Sequence, residues 1–447
     1  MIRLADKSLY RKIWVIALPM MLASVSEPLL GAVDTAVVGH LPDPKHLGAV
    51  AVGAMLFSYV FWAFGFLKMA TGGFSAQAFG KSDGDELRAV LGRALLIAAG
   101  ISLAMILLQR PILAFALPLI GAAEDVSQLA DVYFSIRIWS TPAALANYVF
   151  FGWLLGMQNA RANLIITLAL NILNIGLDLL FVVQFEWGVA GVAWATVTAS
   201  YIAALIGWFF VARGLQQYPG KWSFPALFNA AKHRRLFSTN SDLFIRTLCL
   251  VSCWAVFTSV SAQMGTVILA ANAVLMTFMQ IMAYALDGFA NAAQAVAGAA
   301  YGAGDRQRFD DAVRAAGHWS IIFGLLIGAV FMLFGGLMID LMTGLPEVRE
   351  LAKHYLPWLA LLTTISTWAF LYDGVFLGAT ETLPLRNTSA FCLVVFLIAL
   401  FAGTHFFGPD AMWPAILLLN LLRGLTLHLS YPRLLNSIAP PAATPST

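Results

Sequence analysis

The sequence predicts an all-α integral membrane protein with twelve transmembrane helices in two pseudo-symmetric six-helix bundles. Three observations carry that prediction. The chain of 447 residues is 60% hydrophobic and only 11% charged, against roughly 25% charged in an average soluble domain, and a soluble fold cannot hide so much apolar surface. Apolar stretches of 20 or more residues recur along the chain, long enough at about 1.5 Å per residue to cross a hydrocarbon core of about 30 Å. A single offset of 222 residues relates the first half of the sequence to the second.

Taken in order, the predicted spans of the first half are 12–39, 48–70, 89–108, 130–158, 162–184 and 189–213. The first is too long and continuous to be the removed core of a signal peptide, so it is expected to stay. It carries Pro19, which removes one helical hydrogen bond and offers either a hinge or a static kink. The second half supplies 237–263, 267–300, 311–340, 350–378, 386–407 and 412–432. Unbroken apolar runs differ from the alternating segments of about ten residues that mark β-barrels, and only helices satisfy the backbone inside them. The longest polar connection, with Pro219, Gly220, Pro225 and Arg234, separates the halves. The expected domains are an N-lobe at 1–213, a cytoplasmic linker at 214–236, a C-lobe at 237–433 and a tail at 434–447.

Lys and Arg set the orientation. The N-terminus, the even-to-odd connections and the C-terminus hold 18 of the 26 basic residues, whereas the opposite loops hold four, Lys45, Arg110, Arg349 and Lys353. Both termini are therefore expected in the cytoplasm, with the chain in the inner membrane. The net charge of +3 is a topology signal, and no basic tract with interleaved aromatics marks a nucleic-acid partner. Cys249, Cys253 and Cys392 read as small apolar packing residues. The seven histidines are scattered, and no HExxH, Walker or GxSxG pattern occurs, so neither an enzyme nor a metal or organic cofactor is expected.

The offset is visible in several places. Phe79-Gly80-Lys81-Ser82-Asp83 matches Tyr301-Gly302-Ala303-Gly304-Asp305, Gly152 and Gly156 match Gly374 and Gly378, and Tyr133 matches Tyr355. Leu47, Ala49, Ala51 and Val52 likewise match Leu269, Ala271, Ala273 and Val274. Six helices per unit bring both copies in from the same side, which relates them by an axis along the membrane normal.

Ionisable groups at membrane depth are costly and ask for a reason. The acidic ones are Glu27, Asp34, Asp178, Asp287 and Asp373. Asn171, Asn174 and Asp178 fall on one helical stripe. Asp34 and Asp178 lie five and six residues before the ends of outward-running spans, and Tyr133 and Thr196 three and seven residues after the starts of inward-running ones. All four therefore share the outer part of the N-lobe. Under the 222 shift, Asp34, Asn174, Asp178 and Thr196 become Val256, Phe396, Leu400 and Leu418, so the polar set is not demanded by the shared scaffold. Two carboxylates in one low-dielectric site do not both stay ionised, which makes such a site a proton carrier near neutral pH. Asn147 and Asn171 are further cavity candidates. Asp287 and Asp373, each followed by glycine, read as helix caps, helix breaks or functional groups near the C-lobe cavity, and Glu27 beside Pro28 is similar. Lys68, Arg137 and Arg246 are read as snorkelling or neutralising residues.

These residues resemble a known family, the multidrug and toxic compound extrusion transporters, in their DinF-like branch. The resemblance covers nearly the whole chain. It rests on Ala17-Leu18-Pro19, Val33 to Leu41, Ala76-Gln77-Ala78-Phe79-Gly80 and Asn171 to Asp178, and in the second half on Asn272 to Thr277, Ala283 to Ala290, Ala300 to Asp305 and Asp373 to Thr380. It implies antiport of hydrophobic, often cationic, small molecules against protons or sodium, through a V-shaped cleft between two lobes. In it Asp34, Asn174, Asp178 and Thr196 match the N-lobe cation network, Tyr133 a neighbouring tyrosine and Pro19 a bending proline. Sodium is a second possible occupant at Asp34 and Asp178. Where the sodium-coupled NorM-like branch carries a glutamate, this chain reads Leu248-Cys249-Leu250, which favours coupling through the N-lobe. The expected partners are the bilayer and small substrates, with the protein a monomer. The competing expectation is a lipid-linked saccharide flippase of the same superfamily, against which the intramembrane acids argue.

Overall fold

The computed structural model describes residues 6–39, 43–121 and 123–438, with the side chains of 27–30, 32, 34, 35, 38 and 119 outside the description. Helices dominate it, and no strand occurs among the described residues. In chain order the first half forms α1 (Lys7–Gly39), α2 (Pro44–Ala63), α3 (Phe66–Gly80), α4 (Gly84–Leu107), α5 (Gln109–Ile120), α6 (Glu124–Arg137), α7 (Thr141–Gly156), α8 (Ala160–Asp178) and α9 (Gly188–Gln217). A four-residue α10 (Phe224–Leu227) precedes α11 (Ala230–Met264), α12 (Thr266–Gly302), α13 (Arg306–Met342), α14 (Pro346–Ala379), α15 (Thr382–Phe407) and α16 (Met412–Asn436). Ten described segments are long and apolar enough to cross a membrane. One of them, Thr382–Asn436, contains both α15 and α16, which with the interrupted α6 and α7 accounts for twelve crossings.

The interruptions are where the structure departs from uniform spans. The predicted span 48–70 is two helices, because the chain breaks at Phe64 and Gly65 and continues as α3 to Gly80. The predicted span 130–158 is likewise split by a tight turn at Ile138–Ser140. Pro142 sits in the first turn of α7, and its missing N–H removes the bond that would have carried α6 straight through. Beyond Asp178 the helix does not simply end but widens into a π-turn, Leu179–Gln184. Between α4 and α6, α5 is an extra helix closed by Gly121, whose left-handed φ of 68° lets its N–H reach the Leu117 carbonyl at 3.2 Å.

The chain divides into two compact units, Leu22–Arg234 and Met1–Met21 with Arg235–Thr447. Residues 6–21, assigned by sequence to the N-lobe, thus pack with the second unit. Aromatic contacts explain it. The Trp14 ring lies against Phe289, Trp319 and Phe323, and Tyr10 stacks on His318, with its hydroxyl 2.5 Å from His318 Nδ1. Gly288 gives α1 its seat, since a Cβ there would lie 2.4 Å from Met21 Cγ and 2.9 Å from the Ala17 carbonyl.

Within each unit the packing follows the same register. In the first, a Cβ on Gly152 would lie 2.3 Å from the Lys68 carbonyl, and one on Gly156 2.7 Å from both Gly72 O and Ala76 N. In the second, Gly374 meets Ala290 O at 2.1 Å, while Gly378 meets Gln294 O at 2.5 Å and Gly298 N at 3.0 Å. Every one of these partners is displaced by 222. The turns agree as well: Asp83 caps α4 through Glu86 N, and Asp305 caps α13 through Arg308 N, both at 2.9 Å. Ser82 and Gly304 both take left-handed backbones, with φ of 54° and 72°, as do Gln158 and Thr380, at 62° and 56°.

The polar connection after α9 is not a loose strap. Arg88 donates to the carbonyls of Leu215 at 2.6 Å and Tyr218 at 2.7 Å, and Asp85 accepts from Lys221 N at 2.6 Å. Glu86 holds Arg93 at 2.5 Å and also pairs with Lys232. These bonds fasten 215–232 onto α4, inside the first unit.

Candidate functional site

The N-lobe site is built on the end of α8. Three apolar turns carry Asn171, Asn174 and Asp178 on one stripe, and all three are buried, Asp178 with 0% exposure. Asn174 Nδ2 donates to Asp178 Oδ2 at 2.7 Å. One turn earlier, Asn171 Nδ2 donates to Ser26 Oγ at 2.9 Å, tying α8 to α1, and Ser26 Oγ in turn donates to the Ala23 carbonyl at 2.6 Å. The π-turn begins on the residue after Asp178, a backbone irregularity found often at functional sites.

The other predicted members lie on neighbouring helices. Val37, Val182 and Val192 share one buried cluster with Tyr133. They stand one turn from Asp34, Asp178 and Thr196 respectively, so the helices bearing these residues converge at one level. Tyr133, 1% exposed, accepts from Arg137 Nη1, and the Arg137 guanidinium also lies 5.1 Å from the Phe57 ring centre. The sequence reading of Arg137 as a snorkelling or neutralising residue missed this contact with a phenol. Thr196 Oγ1 donates to the Val192 carbonyl at 3.1 Å, and Ser200 Oγ to the Thr196 carbonyl at 2.7 Å. Buried Asn147 donates to the Ser200 carbonyl at 3.2 Å, which links α7 to α9 beneath the site. Asp34 and Glu27 lie on the helical backbone of α1, but their side chains are outside the described residues. Pro19 stands two residues before the point where α1 passes from one compact unit to the other.

The C-lobe acids resolve differently. Neither Asp287 nor Asp373 caps or breaks a helix, for α12 and α14 run through them. The glycines beside them serve helix contact, Gly288 towards α1 and Gly374 towards α12. Asp287 is half-buried. Asp373 is buried between two arginines, Arg246 of α11 and Arg423 of α16. Arg423 falls inside the last predicted span, 412–432, with nothing beside it in the sequence to mark its role. Among the described residues no group of three or more His, Cys, Asp or Glu side chains is placed to hold a metal ion.

Just before α2, the half-exposed Asp43 caps that helix by accepting from Lys45 N at 3.0 Å and pairs with Lys45 Nζ at 2.7 Å. These bonds hold the Asp43 carboxyl below the usual carboxylate range.

Apolar helices long enough to cross a membrane, packed in two register-matched units that each bury ionisable side chains, define an integral membrane protein built by duplication. The MatE family model matches residues 19–180 and 243–401, and the chain belongs to that family of multidrug and toxic compound efflux transporters, which are ion-coupled antiporters. It is 41% identical over 423 residues to the DNA damage-inducible protein F of Escherichia coli K12, covering 95% of this chain and 91% of that protein. Similarity extends at 21% identity to a probable multidrug resistance protein NorM of Acinetobacter baylyi, over 94% of this chain and 93% of that one. Among solved structures, a MOP superfamily transporter of Pyrococcus furiosus matches with a TM-score of 0.86 at 18% identity, over 98% of this chain and 99% of its own. An outward-facing multidrug resistance MATE transporter of that superfamily matches at 0.85 and 20% identity, over 98% and 99%. At these identities the structural matches speak for the fold.

Proposed function

We infer that this protein exports hydrophobic and organic-cation compounds from the cytoplasm in exchange for protons, by alternating access. It does so as a monomer in the inner membrane with both termini cytoplasmic. The observation that carries the reading is Asp178. It is a wholly buried carboxylate with a side-chain amide aimed at it, at a position whose counterpart in the second unit is the buried, apolar Leu400. A group that neither unit needs for packing, placed where ionisation is costly, is suited to carrying a proton. Asn174 steadies the ionised form, because a carboxylate accepts a charge-assisted bond that a protonated acid accepts only weakly. Asp34 of α1 is assigned as its titrating partner, with Thr196 of α9 and Tyr133 of α6 as the remaining members of the set. Pro19 is assigned as the point about which α1 bends when the proton is exchanged.

Sodium at Asp34 and Asp178 is the second reading, supported by the oxygen-bearing side chains of Asp178 and its neighbour Asn174 on α8. Replacing Asp34 or Asp178 by asparagine is expected to abolish efflux of a fluorescent cation from cells while leaving membrane expression at the wild-type level. Full efflux by either variant would remove the N-lobe from the mechanism.

A further inference from the structure

The second unit holds a charge constellation that proton coupling does not use. Asp373 Oδ2 accepts from Arg423 Nη2 at 2.6 Å and also from Arg246 Nη2. All three side chains are about nine-tenths buried, exposing 9%, 9% and 10% of their surface. Among the described ion pairs, one carboxylate between these two guanidiniums leaves an excess positive charge in a low-dielectric setting. Such a charge is costly there unless a second anion answers it.

The donors are also underused. A guanidinium presents five N–H groups in a planar fork. Arg246 engages Asp373 through Nη2 alone, and its buried Nε has no hydrogen-bond partner. Arg423 engages Asp373 and, through Nη1, Asn420 Oδ1 at 3.3 Å. The shared scaffold does not require the set, because the 222 shift turns Arg246, Asp373 and Arg423 into Ser24, Phe151 and Tyr201. The two units therefore each carry a private polar cluster of opposite character, acidic in the first and basic in the second.

We propose that Arg246 and Arg423 form an oxyanion-binding site that receives the carboxylate or phosphate head of an anionic amphiphile, with Asp373 as the internal competitor holding the two forks in place. Planar, paired N–H donors suit an oxyanion better than any cation. Asp373 sets the affinity, because an arriving head must share or displace its hold on both arginines. The inference rests on the exporter reading only in calling the bound molecule a substrate. Binding at equilibrium, with no gradient, is independent of it.

The test is titration of the purified full-length protein, in a neutral detergent, with 1-naphthoate, 1-naphthylmethylammonium and uncharged 1-naphthalenemethanol, read by calorimetry. Naphthoate should bind, and neither analogue should displace it. Arg246→Gln and Arg423→Gln should each weaken naphthoate at least tenfold, while Asp373→Asn, which removes the competitor, should tighten it. Arg423→Lys keeps the charge without the fork and should fall between wild type and Arg423→Gln, so the site remains testable if Asp373→Asn does not fold. Displacement of naphthoate by phosphatidylglycerol would identify a lipid head as the occupant, and no displacement would identify a soluble amphiphile. No naphthoate binding by the wild type, equal affinity in the arginine variants, or weaker binding in Asp373→Asn would each overturn the proposal. Naphthoate binding in a protein that exports nothing would leave this site standing and remove the exporter reading alone.

Discussion

Substituting Gly374 by alanine tests the duplicated packing directly. The new Cβ would lie 2.1 Å from the Ala290 carbonyl oxygen and 2.7 Å from its carbon. An ordinary van der Waals contact begins near 3.4 Å, so α12 and α14 must part by about 1 Å or more. The obstacle is main chain, with no rotamer that can yield, which puts the cost at the upper end of overpacking, about 3 kcal/mol. The gain from removing a helical glycine offsets less than about 1 kcal/mol of that. Gly152→Ala, 2.3 Å from the Lys68 carbonyl, should cost about as much in the other unit. Gly100 is the control, for it is exposed within α4 and a Cβ there meets nothing within 4 Å. Gly100→Ala should be neutral or stabilising by up to about 1 kcal/mol. Thermal unfolding of the three purified variants in one detergent gives the comparison. Should Gly374→Ala prove as stable as Gly100→Ala, the register-matched helix contact would be wrong.

Three further outcomes follow from named contacts. A double-mutant cycle between Asn174→Leu and Asp178→Leu should return a favourable coupling of about 0.5–3 kcal/mol, the range spanned by neutral and charge-assisted hydrogen bonds, and a coupling near zero would contradict the bond. Asp373→Leu leaves two buried cations and should destabilise the protein more than Arg423→Met, which leaves a balanced pair; the reverse order in unfolding experiments would refute the excess-charge argument. Asp43→Ala should loosen the start of α2, seen as faster amide exchange over its first turn. Because the Asp43 carboxyl is held below its ordinary value in the folded chain, that protection should be complete above the ordinary carboxylate range and disappear as pH falls through the lowered value.

The helices and their duplication were legible in the sequence because membrane burial writes long apolar runs, and because close helix contacts preserve glycine at fixed spacing. Gly152, Gly156, Gly374 and Gly378 matched in sequence, and they match again in what they touch. Asn171, Asn174 and Asp178 were legible for a similar reason, since polar residues stand out against an apolar stripe. What stayed hidden depended on partners far along the chain. Nothing local to Arg423 says that it meets Asp373, 50 residues away, on the same oxygen as Arg246. The breaks at Phe64 and Ile138 and the π-turn after Asp178 were also hidden, because hydropathy is blind to which carbonyl an N–H chooses. The start of α1 was assigned to the lobe that follows it in sequence, whereas its Tyr10 and Trp14 rings pack into the other unit.

Proton coupling through the first unit is tested most directly by reconstituting the wild type and Asp178→Asn in sealed vesicles and imposing one gradient at a time. With a fluorescent organic cation as the reporter, a pH gradient in sodium-free buffer should drive transport by the wild type and none by Asp178→Asn, while a sodium gradient at equal pH should drive neither. Transport by the wild type under sodium alone, or by Asp178→Asn under the pH gradient, would contradict it.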